Sequence, residues 1–355
     1  MSAVRTPGDP APWFDLPTHG NPNYHFASLG GRWILLAFLP PEGPERTAML
    51  DGVAARRDQF DVDRLIGFFV ERDRRVWSAQ AEARGLRWFL DEAGRVAAGY
   101  GAQGEDGRAA GLWVLVDPSL RIWATAPGMD GRVLDALRSL PAPADHAGAS
   151  LNAPVLIVPR VFEPEICREL IGVYERHGGA PSGVMREREG RTVPVLDDFK
   201  KRRDALIGDA TLCAGLTDRI SRRLVPEIRK AFQFAATRIE RHIVACYDAA
   251  DGGYFRPHRD NTTKGTAHRR FAVSINLDAE AHEGGDLRFP EFGPRTYRPP
   301  TGGAVVFSCS LLHEATPVTR GRRYAYLPFL YDEAAAQVRQ ENLKFLGDPQ
   351  GSAAA

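Results

Sequence analysis

In the N-terminal part of the chain, short apolar runs alternate with polar, amphipathic stretches. Trp33 to Leu39 (WILLAFL) carries no charge and ends at Pro40-Pro41, which predicts a buried strand. Leu65 to Val70 (LIGFFV) and Leu112 to Val116 (LWVLV) predict two more. Ala48 to Phe60 and Ser78 to Gly85 read as helices. Asp117-Pro118 is a turn signal, and Arg121 to Thr125 after it predicts the second arm of a hairpin. Strand–helix–strand order closing on a hairpin predicts an α/β sandwich.

Leu140 to Pro154 (LPAPADHAGASLNAP) has no apolar period and the composition of a linker. This gives a first domain over 1–140, a linker over 141–154, a second domain over 155–335, and a C-terminal helix and tail over 336–355. The second domain opens with a strand, Val155 to Val158, and a helix started by Pro164, with Ile166, Leu170, Val173 and Tyr174 on one face. A long helical pattern covers Leu212 to Phe234. The period then changes, and strand-like segments follow at Ile239–Tyr247, Phe271–Leu277, Asp286–Phe289, Ala304–Ser308 and Tyr324–Tyr331. Helices followed by many short strands predict a helix-supported jelly roll of α+β class.

Composition narrows the function classes. A net charge of +1 gives no clear nucleic-acid signal. No apolar run approaches the roughly 18 residues of a membrane span. The opening MSAVRTPGDPAPWFDL lacks the apolar run of a signal peptide, so a cytoplasmic protein is expected. Cys167, Cys213, Cys246 and Cys309 are widely spaced, which predicts buried hydrophobes rather than a thiolate metal site or disulfides.

GDPAPWFDLPTHG, a strand ending in FLPP, Thr47 and LVDPSLRIW together resemble the peroxiredoxin branch of the thioredoxin fold, over roughly residues 8–130. The resemblance implies a Pro-x-x-x-Thr-x-x-Cys loop after the first core strand. Here Leu50 stands at the cysteine position, and no cysteine precedes Cys167. Thiol peroxidase chemistry requires a thiolate, so a non-catalytic domain is expected. Docking, substrate presentation and formation of a homodimer are the roles open to it.

His258 and Asp260 follow a Gly-rich turn and share one face of an extended segment. His313 follows the AVVFS strand and supplies a second imidazole. Two histidines and one carboxylate with open positions are the ligand set of non-haem Fe(II) oxygenases. Arg323, at the start of an apolar strand, offers a bidentate fork to a carboxylate, such as the distal one of 2-oxoglutarate. Arg320 and Arg322 read as surface charges. Each piece alone is common; their order and context carry the reading.

YDAADGGYFRPHRDN, EGGDLRFPEFG and HEATPVTRGRRYAYLPF resemble the prolyl 4-hydroxylase-type branch of the Fe(II)/2-oxoglutarate dioxygenases, over roughly residues 155–332. This implies a double-stranded β-helix, iron on His258, Asp260 and His313, and 2-oxoglutarate anchored by Arg323. It also implies that Tyr247 hydrogen-bonds the same carboxylate, with core packing the alternative. It implies that Gly284-Gly285 lets a strand pass close to the site, with an ordinary turn the alternative. The activity implied is hydroxylation of a C–H bond, with 2-oxoglutarate converted to succinate and O2 consumed. Ascorbate is the expected auxiliary reductant.

The substrate stays open between a peptide or protein (a prolyl residue by analogy) and a small molecule. Lys200-Lys201-Arg202-Arg203 and the basic residues from Arg219 to Arg229 read as solvated helix faces, with an acidic substrate or partner the functional alternative. Gly179 to Asp204 reads as a mobile substrate lid or as ordinary loop. Two other functions compete: a zinc hydrolase using the same ligands, and a non-catalytic scaffold built from two degenerate enzyme domains.

Overall fold

The computed structural model describes residues 4–104 and 107–347. Two compact units are present: Met1–Ala153 with Pro290–Pro294, and Pro154–Phe289 with Arg295–Ala355. No helix among the described residues is long and apolar enough to cross a membrane.

The first unit is built on a five-stranded sheet in the order Leu86–Leu90, Leu65–Glu71, Trp33–Phe38, Leu112–Val116, Ile122–Pro127. The first three strands are parallel and the last two antiparallel. Both faces are covered, which is why the central strand is apolar at every position. Ile34, Leu36 and Phe38 enter one cluster with Phe26, Phe89 and Tyr100. Trp33, Leu35 and Ala37 enter another with Met49, Val53 and Trp113. This is the thioredoxin-like α/β layout.

Several boundaries differ from those predicted. The first helix runs Pro44–Ala54, because Pro44 at its first turn starts it early. The next helix is Arg74–Ser78, capped by the Asp73 carboxylate, rather than Ser78 to Gly85. The Leu86–Leu90 strand was missed because its Arg87 interrupts the apolar run. Thr47 is exposed and its hydroxyl donates to Gly43 O at 3.3 Å. Leu50 packs against the Met49–Trp113 cluster. Much of 141–154, expected as a linker, packs on this unit: Trp33 Nε1 donates to Pro141 O at 2.9 Å and His146 is buried.

The second unit is a double-stranded β-helix. Its larger sheet runs Arg238–Ile239, Phe329–Tyr331, Phe271–Asn276, Arg322–Tyr326, Ile243–Asp248, Arg203–Leu206, Ala180–Pro181; Ala304–Ser308 pairs with Phe271–Asn276, and Leu156–Val158 pairs with Ala304–Ser308. The smaller sheet runs Lys200–Lys201, Tyr254–His258, His313–Ala315, Leu287–Arg288, Thr296–Tyr297. Strand alternation divides the side chains. Val244 and Cys246 lie with Leu170, Leu216 and Ile228 of the supporting helices. Ala245 and Tyr247 point inward and meet Phe255 and Ala315 of the smaller sheet.

The long helix expected from Leu212 to Phe234 is two, Ala210–Arg223 and Val225–Phe232, broken at Leu224 just ahead of Pro226. Pro328 likewise splits the predicted Tyr324–Tyr331 strand into Arg322–Tyr326 and Phe329–Tyr331. The Ile239–Tyr247 strand is interrupted between Ile239 and Ile243. Within Gly179–Asp204 a hairpin forms, Val184–Arg188 against Arg191–Val195. The C-terminal helix is Glu333–Asn342, and the tail expected over 348–355 lies outside the described residues. Cys167, Cys246 and Cys309 are buried and all four cysteines are free; burial pushes the Cys167 and Cys246 thiols up to about 11.

Candidate metal centre

His258 ends the Tyr254–His258 strand and stands directly opposite His313 on the antiparallel neighbour. Cross-strand pairing sets the two imidazoles side by side, 4.3 Å between centroids. Just past the strand end, the Asp260 N–H donates to Cys309 O at 2.9 Å, fixing the residue that follows the turn. Its carboxylate lies between the rings, 3.6 Å from His258 Nε2 and 3.3 Å from His313 Nε2.

The tautomers suit a metal. Each Nδ1 faces a backbone carbonyl, Arg256 O at 2.7 Å for His258 and Leu311 O at 3.0 Å for His313. Nδ1 must therefore be the donor, and the Nε2 lone pairs face Asp260. One donor atom from each of the three residues lies within 4.8 Å of the others. Burial, then the neighbouring His258, brings the His313 pKa down to about 4, so its imidazole is neutral at physiological pH. Burial pulls the Asp260 pKa up, but the His313 and His258 rings outweigh it and keep the carboxylate ionised. Two imidazoles with their Nε2 atoms turned to a carboxylate fit a divalent cation and leave positions open to other ligands.

Aromatic rings and a buried ion network hold the ligands. Phe255 stacks on His258 at 3.4 Å between centroids, and Phe307 lies 4.5 Å from His313. Arg269 forms a two-pronged pair with Glu240, at 2.7 and 2.6 Å, and donates to Asp260 O at 3.3 Å. His268 Nε2 meets the same Glu240 at 2.9 Å. The sequence reading missed this network, since Glu240 and Arg269 are far from the ligands along the chain.

Arg323 and Tyr247 are register partners on adjacent strands and share the inward face. Arg323 is 3% exposed, and its Nη2 donates to Ser274 Oγ at 2.8 Å. Its guanidinium sits 5.2 Å from the Tyr247 ring centroid. Among the described residues no carboxylate lies within ion-pair distance of it. Burial first, with Arg202 and Arg298 adding to it, disfavours its charged form. Tyr247 is buried, and its hydroxyl accepts a long 3.5 Å bond from Arg202 Nη1. Ser274 was also missed; its signal was a hydroxyl at an inward position of the apolar strand FAVSIN.

Gly284 and Gly285 both have positive φ, +70° and +73°. A Cβ on Gly285 would stand 3.0 Å from Arg323 Cδ, so this turn does bring a strand against the arginine. Arg320 and Arg322 are exposed and paired with Glu283 at 2.6 Å and Asp248 at 2.7 Å. The basic residues of Arg219 to Arg229 lie on helices, as expected. The Lys200–Arg203 run does not: it joins the Lys200–Lys201 strand to the Arg203–Leu206 strand through Arg202, with Lys201 and Arg203 exposed and Lys200 and Arg202 buried.

A family model described as the 2OG-Fe(II) oxygenase superfamily matches residues 242–331. This stretch contains both histidines, Asp260, Tyr247 and Arg323. The chain is 40% identical over 91 residues to a PKHD-type hydroxylase of Pseudomonas fluorescens, covering 23% of this chain and 39% of that protein. A PKHD-type hydroxylase of Synechococcus is 31% identical over 102 residues, covering 26% of this chain and 45% of that protein. The chain thus spans less than half the length of these relatives. A prolyl-4-hydroxylase structure from Pseudomonas putida superposes with TM-score 0.40 and 20% identity, covering 51% of this chain and 94% of that one. An AhpC structure from Mycobacterium bovis superposes with TM-score 0.32 and 19% identity, covering 39% of this chain and 98% of that one.

Proposed function

We propose that the second unit is an Fe(II)- and 2-oxoglutarate-dependent dioxygenase that hydroxylates a C–H bond of a peptide or small-molecule substrate. The observation that carries this reading is the pairing of two features on one inward surface. One is the facing His258–Asp260–His313 set, with its Nε2 lone pairs turned to the carboxylate. The other is Arg323, a buried guanidinium with a serine hydroxyl but no carboxylate as partner.

Iron(II) with 2-oxoglutarate and O2 would supply the oxidising power, 2-oxoglutarate leaving as succinate and CO2. The chain's own contribution is binding and orientation. His258, Asp260 and His313 would hold the metal. Arg323 and Ser274 would receive the distal carboxylate, with Tyr247 packed beside them. Phe255 and Phe307 pack against the two imidazoles and hold their orientation. The Glu240–Arg269 pair fixes the Asp260 main chain, and with it the carboxylate's aim.

Arg323 distinguishes this reading from a zinc hydrolase, which has no use for a dicarboxylate anchor. In the first unit Leu50 stands at the position of the peroxiredoxin-type thiolate, which supports a non-catalytic role for that unit: docking, substrate presentation or dimerisation. The test is anaerobic loading of the full chain with Fe(II), then addition of 2-oxoglutarate and air, with succinate quantified and His258→Ala as control. Succinate from the wild type and none from the variant is expected. A chain that binds neither Fe(II) nor 2-oxoglutarate overturns the reading in favour of a non-catalytic scaffold.

A further inference from the structure

Lys200 and Arg202 are buried at the crossing from the Lys200–Lys201 strand to the Arg203–Leu206 strand, and Asp204 follows in the latter. Tyr247 is on the inward face of the strand beside it, and Arg241 is half-buried in the break that precedes that strand. Arg202 and Asp204 pair at 2.6 Å, and Arg269 and Glu240 pair as described. Asp260 is committed to the metal and Arg323 to 2-oxoglutarate. This leaves Lys200 and Arg241, neither of which has a carboxylate within ion-pair distance among the described residues.

Lys200 sits beside a ring that packs on a metal ligand, and Arg241 beside the arginine that bonds the Asp260 main chain. Lys200 Nζ lies 4.9 Å from the centroid of Phe255, the ring stacked on His258. Its polar partners are neutral, Ser182 Oγ at 2.6 Å and Gly183 O at 3.0 Å. Arg241 lies over Phe329 at 4.6 Å, and the guanidinium of Arg269 lies 4.0 Å from the same ring. Its one hydrogen bond is a long contact from Nε to Leu327 O at 3.4 Å. The two cations and Arg202 repel one another. Burial, then Arg202, with Arg241 adding to it, disfavours charge on Lys200 against the pull of Asp204 and Asp260. Burial, then Arg269 and Arg202, brings Arg241 down to about 10 against the pull of Glu240 and Asp204. Arg202 is 8% exposed, and its Nε has no partner, nor has Asp204 Oδ1.

The carboxylates that act on the two cations, Asp204, Asp260 and Glu240, are already matched by Arg202, the metal and Arg269. Such an excess of like charge costs stability and persists where a ligand supplies the opposite sign. Iron and 2-oxoglutarate do not supply it, because the two charges of the metal offset the two of the dicarboxylate. We infer that the prime substrate carries an anionic group, bound between Lys200 and Arg241 beside the metal centre. The placement rests on the dioxygenase reading; the anion subsite itself does not, and the two are tested apart.

The experiment is a calorimetric titration of inorganic sulfate into the full chain loaded anaerobically with Mn(II) and 2-oxoglutarate. Acetate is titrated in parallel, to separate a carboxylate from a sulfate- or phosphate-type group. A saturable single site is expected, weakened about ten- to a hundredfold by Arg241→Gln and by Lys200→Gln, because each removes a charged hydrogen-bond donor. Both variants should still bind 2-oxoglutarate, and Arg241→Gln should melt no lower than wild type, since it removes an uncompensated charge. If Lys200→Gln does not fold, Arg241→Gln decides. Sulfate and acetate that both fail to saturate, or bind equally in wild type and Arg241→Gln, overturn the inference. Should 2-oxoglutarate itself not bind, the dioxygenase reading falls. Sulfate binding lost in Arg241→Gln but kept in Arg323→Met would then show that the anion subsite stands alone.

Discussion

Arg323→Met separates a ligand anchor from a structural cation. The side chain is 3% exposed, its one neutral partner is Ser274 at 2.8 Å, and Gly285 leaves it room on the turn side. In the apo chain the substitution loses one hydrogen bond, worth about 1 kcal/mol, and relieves a buried charge of comparable cost. Apo stability should therefore change by no more than about 1 kcal/mol. With 2-oxoglutarate bound the balance differs. Removing one member of a buried ion pair costs about 3–5 kcal/mol, and each tenfold in affinity is about 1.4 kcal/mol. Methionine should weaken 2-oxoglutarate binding by about two to three and a half orders of magnitude. Arg323→Lys, which keeps the charge but loses the fork, should weaken it about tenfold. The assay is anaerobic calorimetry of the Mn(II)-loaded chain, with urea melts of the apo protein. Wild-type affinity in Arg323→Met would refute the anchor. So would an apo loss of about 3 kcal/mol or more, which would mean that the arginine holds the fold.

Other predictions address the surroundings of the site. Glu240→Gln removes the ion-pair partner of Arg269 and should cost about 3 kcal/mol in urea melts. Because Arg269 also bonds Asp260 O, Mn(II) affinity should fall about ten- to a hundredfold, and no change in either quantity would exclude the supporting role. Gly285→Ala forces an alanine to φ +73° with its Cβ 2.8 Å from Val318 Cγ2. It should lower 2-oxoglutarate affinity with Mn(II) affinity nearly intact, and an equal loss of both would point to general unfolding. Asp278 is pushed up to about 7 by burial, from an ordinary 3.8. A raised pKa means that its stabilising protonated form is present below 3.8 and lost as pH rises through about 7. The advantage of Asp278→Asn over wild type in thermal melts should thus grow with pH across that window. It should level off at about 1–2 kcal/mol, the figure discounted for partial solvent screening. A pH-independent difference would show that Asp278 is already ionised.

What the sequence disclosed depended on how far each feature reaches along the chain. His258 and Asp260 are two positions apart and His313 begins the strand beside them, so their chemistry survives in linear order. The core strands of the first unit are almost wholly apolar because both faces are covered, and such runs are visible without a structure. Breaks at Leu224 and Pro328 were marked by prolines that the apolar period overran. The interior charges were misread for a different reason. Lys200 to Arg203 are four consecutive cations, so the alternation that buries two and exposes two leaves no trace in hydropathy. Arg241 gave no signal either, being one arginine in a polar gap between strands. Hydropathy assigns such residues to the surface because burying a charge is costly. That cost is what makes Lys200 and Arg241 informative: a buried lysine and a half-buried arginine that find no carboxylate within ion-pair distance among the described residues fit the negative group inferred for the substrate.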